Sequence, residues 1–150
     1  MSLSRASVEG VLIRRCGRIL TAAGLDGTTA SGANADLADP ISSAVRQLGL
    51  SVATLGSVSD SDLAGVATED LDALLDLAEL RCYESALGNL DVVDVSVGPE
   101  RESLGQLGAR LEGLIERTRT KIQRAHGIGV ATLTGGTIRL GFQQRTPPEV

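Results

Sequence analysis

Apolar residues recur at intervals of three and four along four stretches of the chain, and this spacing predicts four amphipathic α-helices. A turn-rich stretch lies before the third helix, with room for one short helix after Asp60. The predicted helices span residues 4–23, 39–48, 68–87 and 98–125.

Residues with known capping preferences mark the ends of these helices. Ser4 or Ser7 can cap the first helix, and Gly24 can stop it. Asp39-Pro40 is predicted to start the second helix, because Asp is a good N-cap and Pro suits a first turn. Between these helices, residues 26–35 are rich in Gly, Thr, Ser and Asn and predict a polar, flexible loop.

The third predicted helix is apolar on two sides. A helix of this kind usually lies at the centre of a bundle or between subunits. One stripe is formed by Leu71, Leu74, Leu75, Ala78 and Cys82, and the other by Leu77, Leu80 and Leu87.

The fourth predicted helix is long, with near-heptad leucines and several interior glycines. Each interior glycine costs about 1 kcal/mol relative to alanine, so packing against another element or subunit must hold this helix. Residues 90–97 before it predict an extended connector or short strand. The predicted subunit interface on the helix consists of Leu104, Leu107, Gly108, Leu111 and Leu114.

After Gly127 the period of the apolar residues changes from helical to two. Gly135-Gly136 is a hairpin turn signal, and residues 143–150 predict an extended tail. Because an isolated hairpin is marginal in water, it must rest on the helices or on another subunit. The predicted fold is therefore mainly α, a bundle of about four helices over residues 1–127, with a C-terminal β-hairpin and extended tail over residues 128–150.

Composition narrows the function. The 150 residues include one Tyr, one Phe and no Trp, although 42% are hydrophobic. This argues against modules that stack bases on aromatic rings and against aromatic-walled ligand pockets. The formal charge is −5, and residues 26–99 hold thirteen acids and two arginines, which gives −11. An acidic chain is a poor candidate for a free nucleic-acid binder.

Candidate chemistry is sparse. Cys16 and Cys82 belong to no metal-binding pair and are expected to be buried, reduced thiols. The lone His126 ends a basic helix, where a surface or C-cap role is expected. No catalytic residue, cofactor site or metal site is predicted. The basic run of Arg117, Arg119, Lys121 and Arg124 favours a solvated face over phosphate contacts.

The chain shows no secretory signal, because the apolar stretch 11–13 is followed at once by two arginines. No run approaches the roughly 20 apolar residues of a membrane span. We expect a protein of a reducing cytoplasm with no membrane partner.

Three stretches resemble one protein family. They are Asp36-Leu-Ala-Asp-Pro-Ile41 with Ala44-Val-Arg-Gln-Leu-Gly49, then Leu71-Asp-Ala-Leu-Leu-Asp-Leu-Ala-Glu-Leu-Arg81, then Val92-Val-Asp-Val-Ser-Val-Gly-Pro99 with Glu102-Ser103 and Gln106-Leu107. Over residues 36–126 they look like the head-to-tail adaptor, or connector, proteins that complete the heads of tailed bacteriophages.

The resemblance implies a non-enzymatic virion protein of the head–tail neck, assembled in the host cytoplasm. Such adaptors form a homo-oligomeric ring, commonly a dodecamer, that joins the portal protein to the tail or a stopper protein. DNA passes through the ring without specific binding, so we expect part of the acidic region 26–99 to line the channel. A terminal arm typically reaches the portal or a neighbouring subunit. Residues 128–150 are the candidate arm, with partner contacts from Leu133, Ile138, Arg139, Leu140, Phe142 and Arg145.

Two other functions stay open. The alternative is a small cytoplasmic helical module for protein–protein interaction or regulation, which would hold a partner helix on the leucine faces of the third and fourth helices. An enzyme subunit with its active site between chains is weaker, because no constellation of His, Cys or carboxylate residues is visible.

Overall fold

The computed structural model describes residues 3–93 and 100–128, and this part of the chain is mainly helical, as predicted. A 3-10 turn, Thr68–Asp70, leads directly into the fourth helix. The α-helices are α1 (Arg5–Ala22), α2 (Ala35–Gln47), α3 (Asp60–Leu63), α4 (Leu71–Val93) and α5 (Glu100–His126).

Helix α4 is the centre of the bundle, which confirms the prediction from its two apolar stripes. It packs against α1, α2 and α5, and Leu74, Leu77 and Ala78 are completely buried. Buried side chains also come from the other helices: Leu12 and Leu20 of α1, Leu37 and Ile41 of α2, and Leu111 and Ile122 of α5.

The predicted ends of α1 and α5 are close to those observed. The Ser4 hydroxyl caps α1 by accepting a hydrogen bond from the Ser7 amide. Gly24 and Gly49 follow α1 and α2 with φ near +82°, a conformation that glycine adopts without the cost that other residues incur. Helix α5 was predicted over residues 98–125 and spans Glu100–His126.

Two predicted boundaries were wrong. Helix α2 begins at Ala35, not at Asp39-Pro40, because the side chain of Asn34 caps it by accepting a hydrogen bond from the Asp36 amide. Pro40 therefore lies inside α2, near enough to its start that one backbone bond is lost and the helix continues. Helix α4 continues to Val93, past Gly88-Asn89, so the connector predicted over residues 90–97 is helical in its first part.

The loop between α1 and α2 was predicted to be flexible, but hydrogen bonds and a close backbone contact hold it against α1. The backbone of Gly27 lies directly against that of Gly17 in α1, so a Cβ on either residue would collide with the carbonyl oxygen of the other. Gly17 is thus the point at which α1 has a close backbone neighbour. The hairpin and tail predicted for 128–150 lie outside the described residues, apart from Ile128.

Candidate assembly interface

Helix α5 is joined to the rest of the bundle by ionic contacts along its C-terminal half. The Asp76 side chain, only 5% exposed, accepts hydrogen bonds from Lys121 Nζ at 2.7 Å and from Arg15 of α1 at 2.8 Å. The imidazole of His126, the last residue of α5, lies 3.0 Å from the second Asp76 oxygen. Together with Glu79, which also pairs with Arg15 at 3.1 Å, these residues form the Asp76 cluster.

The Asp76 cluster keeps its central carboxylate ionised. Burial alone would disfavour the charged form, but the hydrogen bonds from Lys121, His126 and Arg15 outweigh it and lower the pKa of Asp76. A single buried carboxylate of α4 therefore connects α1, α4 and the end of α5.

A second ionic contact lies closer to the middle of α5. Arg119 donates to Glu84 of α4 at 2.9 Å, and Arg81 donates to the other Glu84 oxygen at 2.7 Å. The basic run of α5 is thus divided: Arg119 and Lys121 pair with acids of α4, whereas Arg117 and Arg124 are exposed and form no ion pair with a described side chain. The sequence had suggested one common role for all four.

The side of α5 that faces away from α4 is exposed, and we call it the outer face. No atom lies within 4 Å of a Cβ placed on Gly105 or Gly113. An open cavity of about 590 Å³ runs along its C-terminal half, and its described lining is Glu116, Arg117, Thr120, Lys121, Arg124 and Ala125. The exposed residues of α5 whose side chains are described are Gly105, Gln106, Ala109, Arg110, Glu112, Gly113, Glu116, Arg117, Thr120, Lys121, Gln123, Arg124 and Ala125.

The predicted subunit-interface residues occupy different environments. Leu111 is completely buried in the chain's own core, so the bundle itself accounts for this leucine. Leu107 and Leu114 are partly buried against the same core, and Gly108 is half-buried with open space around its Cα. The side chain of Leu104 lies outside the described residues, as do the predicted arm residues Leu133, Ile138, Arg139, Leu140, Phe142 and Arg145.

A second buried ionic group, the Glu9 cluster, fixes two loops to α1. The Glu9 carboxylate is completely buried and accepts hydrogen bonds from Arg5 Nε at 3.0 Å and from the backbone amides of Gly32 at 2.6 Å and Asn34 at 3.1 Å. Arg5 donates in turn to the carbonyl oxygens of Val58 and Asn34. These polar groups are paired with one another, so the Glu9 cluster serves the fold.

The remaining candidate chemistry has structural partners. Cys16 and Cys82 are free, buried thiols on α1 and α4, as predicted. The hydrogen bond with Cys16, together with burial, raises the pKa of the Cys82 thiol, which makes it a poor nucleophile. Burial and the hydrogen bond to Glu79 likewise raise the pKa of Tyr83.

Asp60 and Asp62 have structural partners as well. Asp62 closes the capping box of α3, and Asp60 accepts from the Arg5 amide at 2.7 Å. Hydrogen bonds from Ser59 lower the pKa of Asp62. Within residues 3–93 and 100–128, no three metal-binding side chains come together. None of the helices in that part of the chain has the length and apolar content needed to cross a lipid bilayer.

Sequence reasoning missed both buried clusters. Asp76 stands in the middle of the apolar stripes of α4, and a lone acid in that position signals a need for buried cationic partners. Arg5 and Glu9 have the i, i+4 spacing of a helical ion pair, but nothing in the sequence indicates that loop amides complete the shell around Glu9.

Comparison of the chain with protein-family models, curated proteins and solved structures finds no match in any of the three.

Proposed function

We propose that this chain is a structural assembly protein of a tailed-bacteriophage virion. It forms a ring that joins the portal to the tail or a stopper protein and surrounds the DNA channel. Its partners are the portal, a tail-side protein and further copies of itself, and it carries no catalytic activity.

The observation that carries the proposal is the attachment of α5. This 27-residue helix is fixed to α4 by the Asp76 cluster and by the Glu84–Arg119 pair, while its outer face stays exposed. Its last residue, His126, is held within the Asp76 cluster. An exposed, anchored helix that ends where the predicted arm begins suits a subunit that contacts neighbours through a helix face and a terminal segment.

Fewer acids of the region 26–99 are available for a channel surface than its net charge suggests. Seven of its acids accept hydrogen bonds within the chain: Asp26, Asp36, Asp60, Asp62, Asp76, Glu79 and Glu84. Among the acids whose side chains are described, those that accept no such hydrogen bond are Asp39 of α2 and the group at the start of α4, Glu69, Asp70 and Asp72, all exposed. A surface of this kind repels phosphates, which suits passage of DNA without binding.

The alternative of a cytoplasmic interaction module loses the surface first considered for it. Leu74, Leu77 and Leu80 of α4 are buried by the chain's own helices, so they have no exposed face to offer a partner helix. The outer face of α5 is polar and poorly suited to helix-in-groove binding.

Binding to the portal protein of the phage that carries this chain tests the proposal. We expect the full-length chain to bind it, and we expect Leu133→Glu with Leu140→Glu to reduce binding at least tenfold by removing the apolar contact of the arm. Leu55→Glu is the matched control, because Leu55 is 78% exposed and lies in a loop outside the predicted arm. Absence of the chain from purified virions, or unchanged binding by the arm variant, would contradict the proposal.

A further inference from the structure

Three arginines form a straight row along α5. Arg110, Arg117 and Arg124 are seven residues apart, so they lie on nearly the same side of the helix, about 10 Å from one to the next. All three are exposed, and none takes part in an ion pair among the described side chains. This differs from Arg119 and Lys121, which are neutralised by acids of α4.

A group of exposed acids lies at the same end of the α4–α5 pair. Asp76, near the start of α4, contacts Lys121 and His126, whereas Glu84, further along α4, contacts Arg119, which comes earlier in α5. The two helices therefore run antiparallel, and the start of α4 lies beside the end of α5. Glu69, Asp70 and Asp72 stand at that start, are exposed, and enter no ion pair within the described part of the chain.

We propose that the arginine row of α5 binds the acidic start of α4 in a second copy of this chain. Charge complementarity carries the proposal: the α4–α5 pair has one exposed surface of each sign, and the last arginine of the row, Arg124, lies at the same end as the acids. A rotation about an axis parallel to these helices keeps both surfaces at one level, so each copy offers its arginines to one neighbour and its acids to the other. Repeated around that axis, such a head-to-tail contact closes into a ring. The proposal rests on the ring-forming function proposed above.

Duplex DNA is the other polyanion that an arginine row can bind. The chain disfavours it, because the net charge is −5 and the exposed acids at the start of α4 lie near the end of the same row. A second copy offers opposite charge to both surfaces at once, which DNA does not.

Charge reversal of each surface tests the contact. The full-length chain, Arg117→Glu/Arg124→Glu and Glu69→Lys/Asp72→Lys would be followed by sedimentation velocity over a range of protein concentrations at low salt. Because like charges brought together are strongly unfavourable, we expect each variant alone to self-associate about a hundredfold more weakly than the unmodified chain. An equimolar mixture of the two variants restores opposite charges at both contacts between unlike copies, and it should form mixed assemblies although neither variant associates by itself.

The matched control is Arg14→Glu/Arg18→Glu, which makes the same charge change at two exposed arginines of α1. We expect this control to self-associate like the unmodified chain. The proposal would be overturned by an unmodified chain that stays monomeric at millimolar concentration, by reversal variants that associate normally, or by an equal loss in the control.

A parallel titration with a 20-base-pair DNA duplex tests whether the arginine row binds nucleic acid instead of a second copy of the chain. Submicromolar binding that is lost in Arg117→Glu/Arg124→Glu would also overturn the proposal. None of these solution measurements depends on the portal. A failed contact is therefore distinguishable from a failed adaptor function, which portal binding and virion composition test separately.

Discussion

Glu9 in α1 and Asp76 in α4 are both buried carboxylates with cationic partners, but they join different parts of the chain. Glu9 is completely buried, and two of its three donors are backbone amides of the loop that precedes α2. Asp76 accepts only from side chains, and these reach it from α1 and α5. The Glu9 cluster therefore holds a loop in place, whereas the Asp76 cluster holds whole helices together.

The two clusters also differ in their contact with water. The Arg5 side chain is 10% exposed, whereas those of Arg15 and Lys121 are 31% and 57% exposed. A cation that keeps much of its hydration loses little when its partner is removed, but a buried one is left without compensation. We therefore expect the Glu9 cluster to matter more for folding and the Asp76 cluster more for the attachment of α5.

The largest effect is expected for Glu9→Ala. The substitution leaves Arg5 buried without its carboxylate and removes the acceptor of two loop amides, so it should lower the free energy of unfolding by about 3–5 kcal/mol. Urea denaturation followed by circular dichroism measures this. Glu112→Ala on the exposed outer face should change stability by less than about 0.5 kcal/mol. If the two substitutions changed the free energy of unfolding equally, the Glu9 cluster would contribute no more to stability than an exposed glutamate.

Gly27→Ala is expected to have the next largest effect. An added Cβ would collide with the Gly17 carbonyl oxygen, which belongs to helix backbone and cannot move alone. Relieving the collision requires lifting the loop from α1, at a cost of about 1–3 kcal/mol. The same denaturation experiment measures it. A neutral result would mean that the loop is held by the Glu9 cluster alone.

Asp76→Asn should destabilise the chain by about 2 kcal/mol, less than Glu9→Ala. Asparagine keeps the shape of the side chain but weakens the hydrogen bonds from Arg15, Lys121 and His126, and hydrogen bonds to a charged group contribute about 1.5–3 kcal/mol each. The expected total is smaller than the sum of three buried bonds because Arg15 and Lys121 are partly exposed. Hydrogen exchange should show increased opening at the C-terminal half of α5 in this variant, and α2 amides should remain protected.

Much of the fold was predictable because it depends on local pattern. The two apolar stripes of α4 placed it at the centre, and the glycines after α1 and α2 marked their ends. The start of α2 was missed because Asp39-Pro40 imitates a capping signal, whereas the true cap, Asn34, is selected by hydrogen bonds to the loop carbonyls of Asp26 and Thr29. That choice depends on tertiary structure, which no local pattern reports.

The candidate interface was less predictable than the fold. Leucine spacing in α5 does not distinguish a face that packs on α4 from one that packs on another subunit, and Leu111 belongs to the first. The division of the basic run was also hidden, because it depends on which cations meet Asp76 and Glu84 across the helix pair.

Lowering the pH should weaken the contribution of Asp76 to the stability of the folded chain. The pKa of Asp76 is lowered in the folded chain, so its contribution to stability is present above the unfolded value of about 3.9 and is lost as pH falls through the folded pKa. Hydrogen bonds from the Thr28 and Thr29 amides lower the pKa of Asp26 to about 2, so this exposed turn should persist to lower pH. Urea midpoints between pH 2 and 6 should fall less steeply for Asp76→Asn than for the unmodified chain.

The smallest effect is expected for Gly108→Ala, and it separates stability from assembly. Nothing lies within 4 Å of an added Cβ, so alanine should stabilise α5 by about 0.5–1 kcal/mol in the isolated chain. Gly49→Ala is the contrasting control, because its φ of +82° strains any other residue and alanine there should destabilise. If Gly108 lies at a subunit contact, the same alanine should weaken self-association while it raises the unfolding midpoint. A gain in stability with unchanged association would remove Gly108 from the predicted interface.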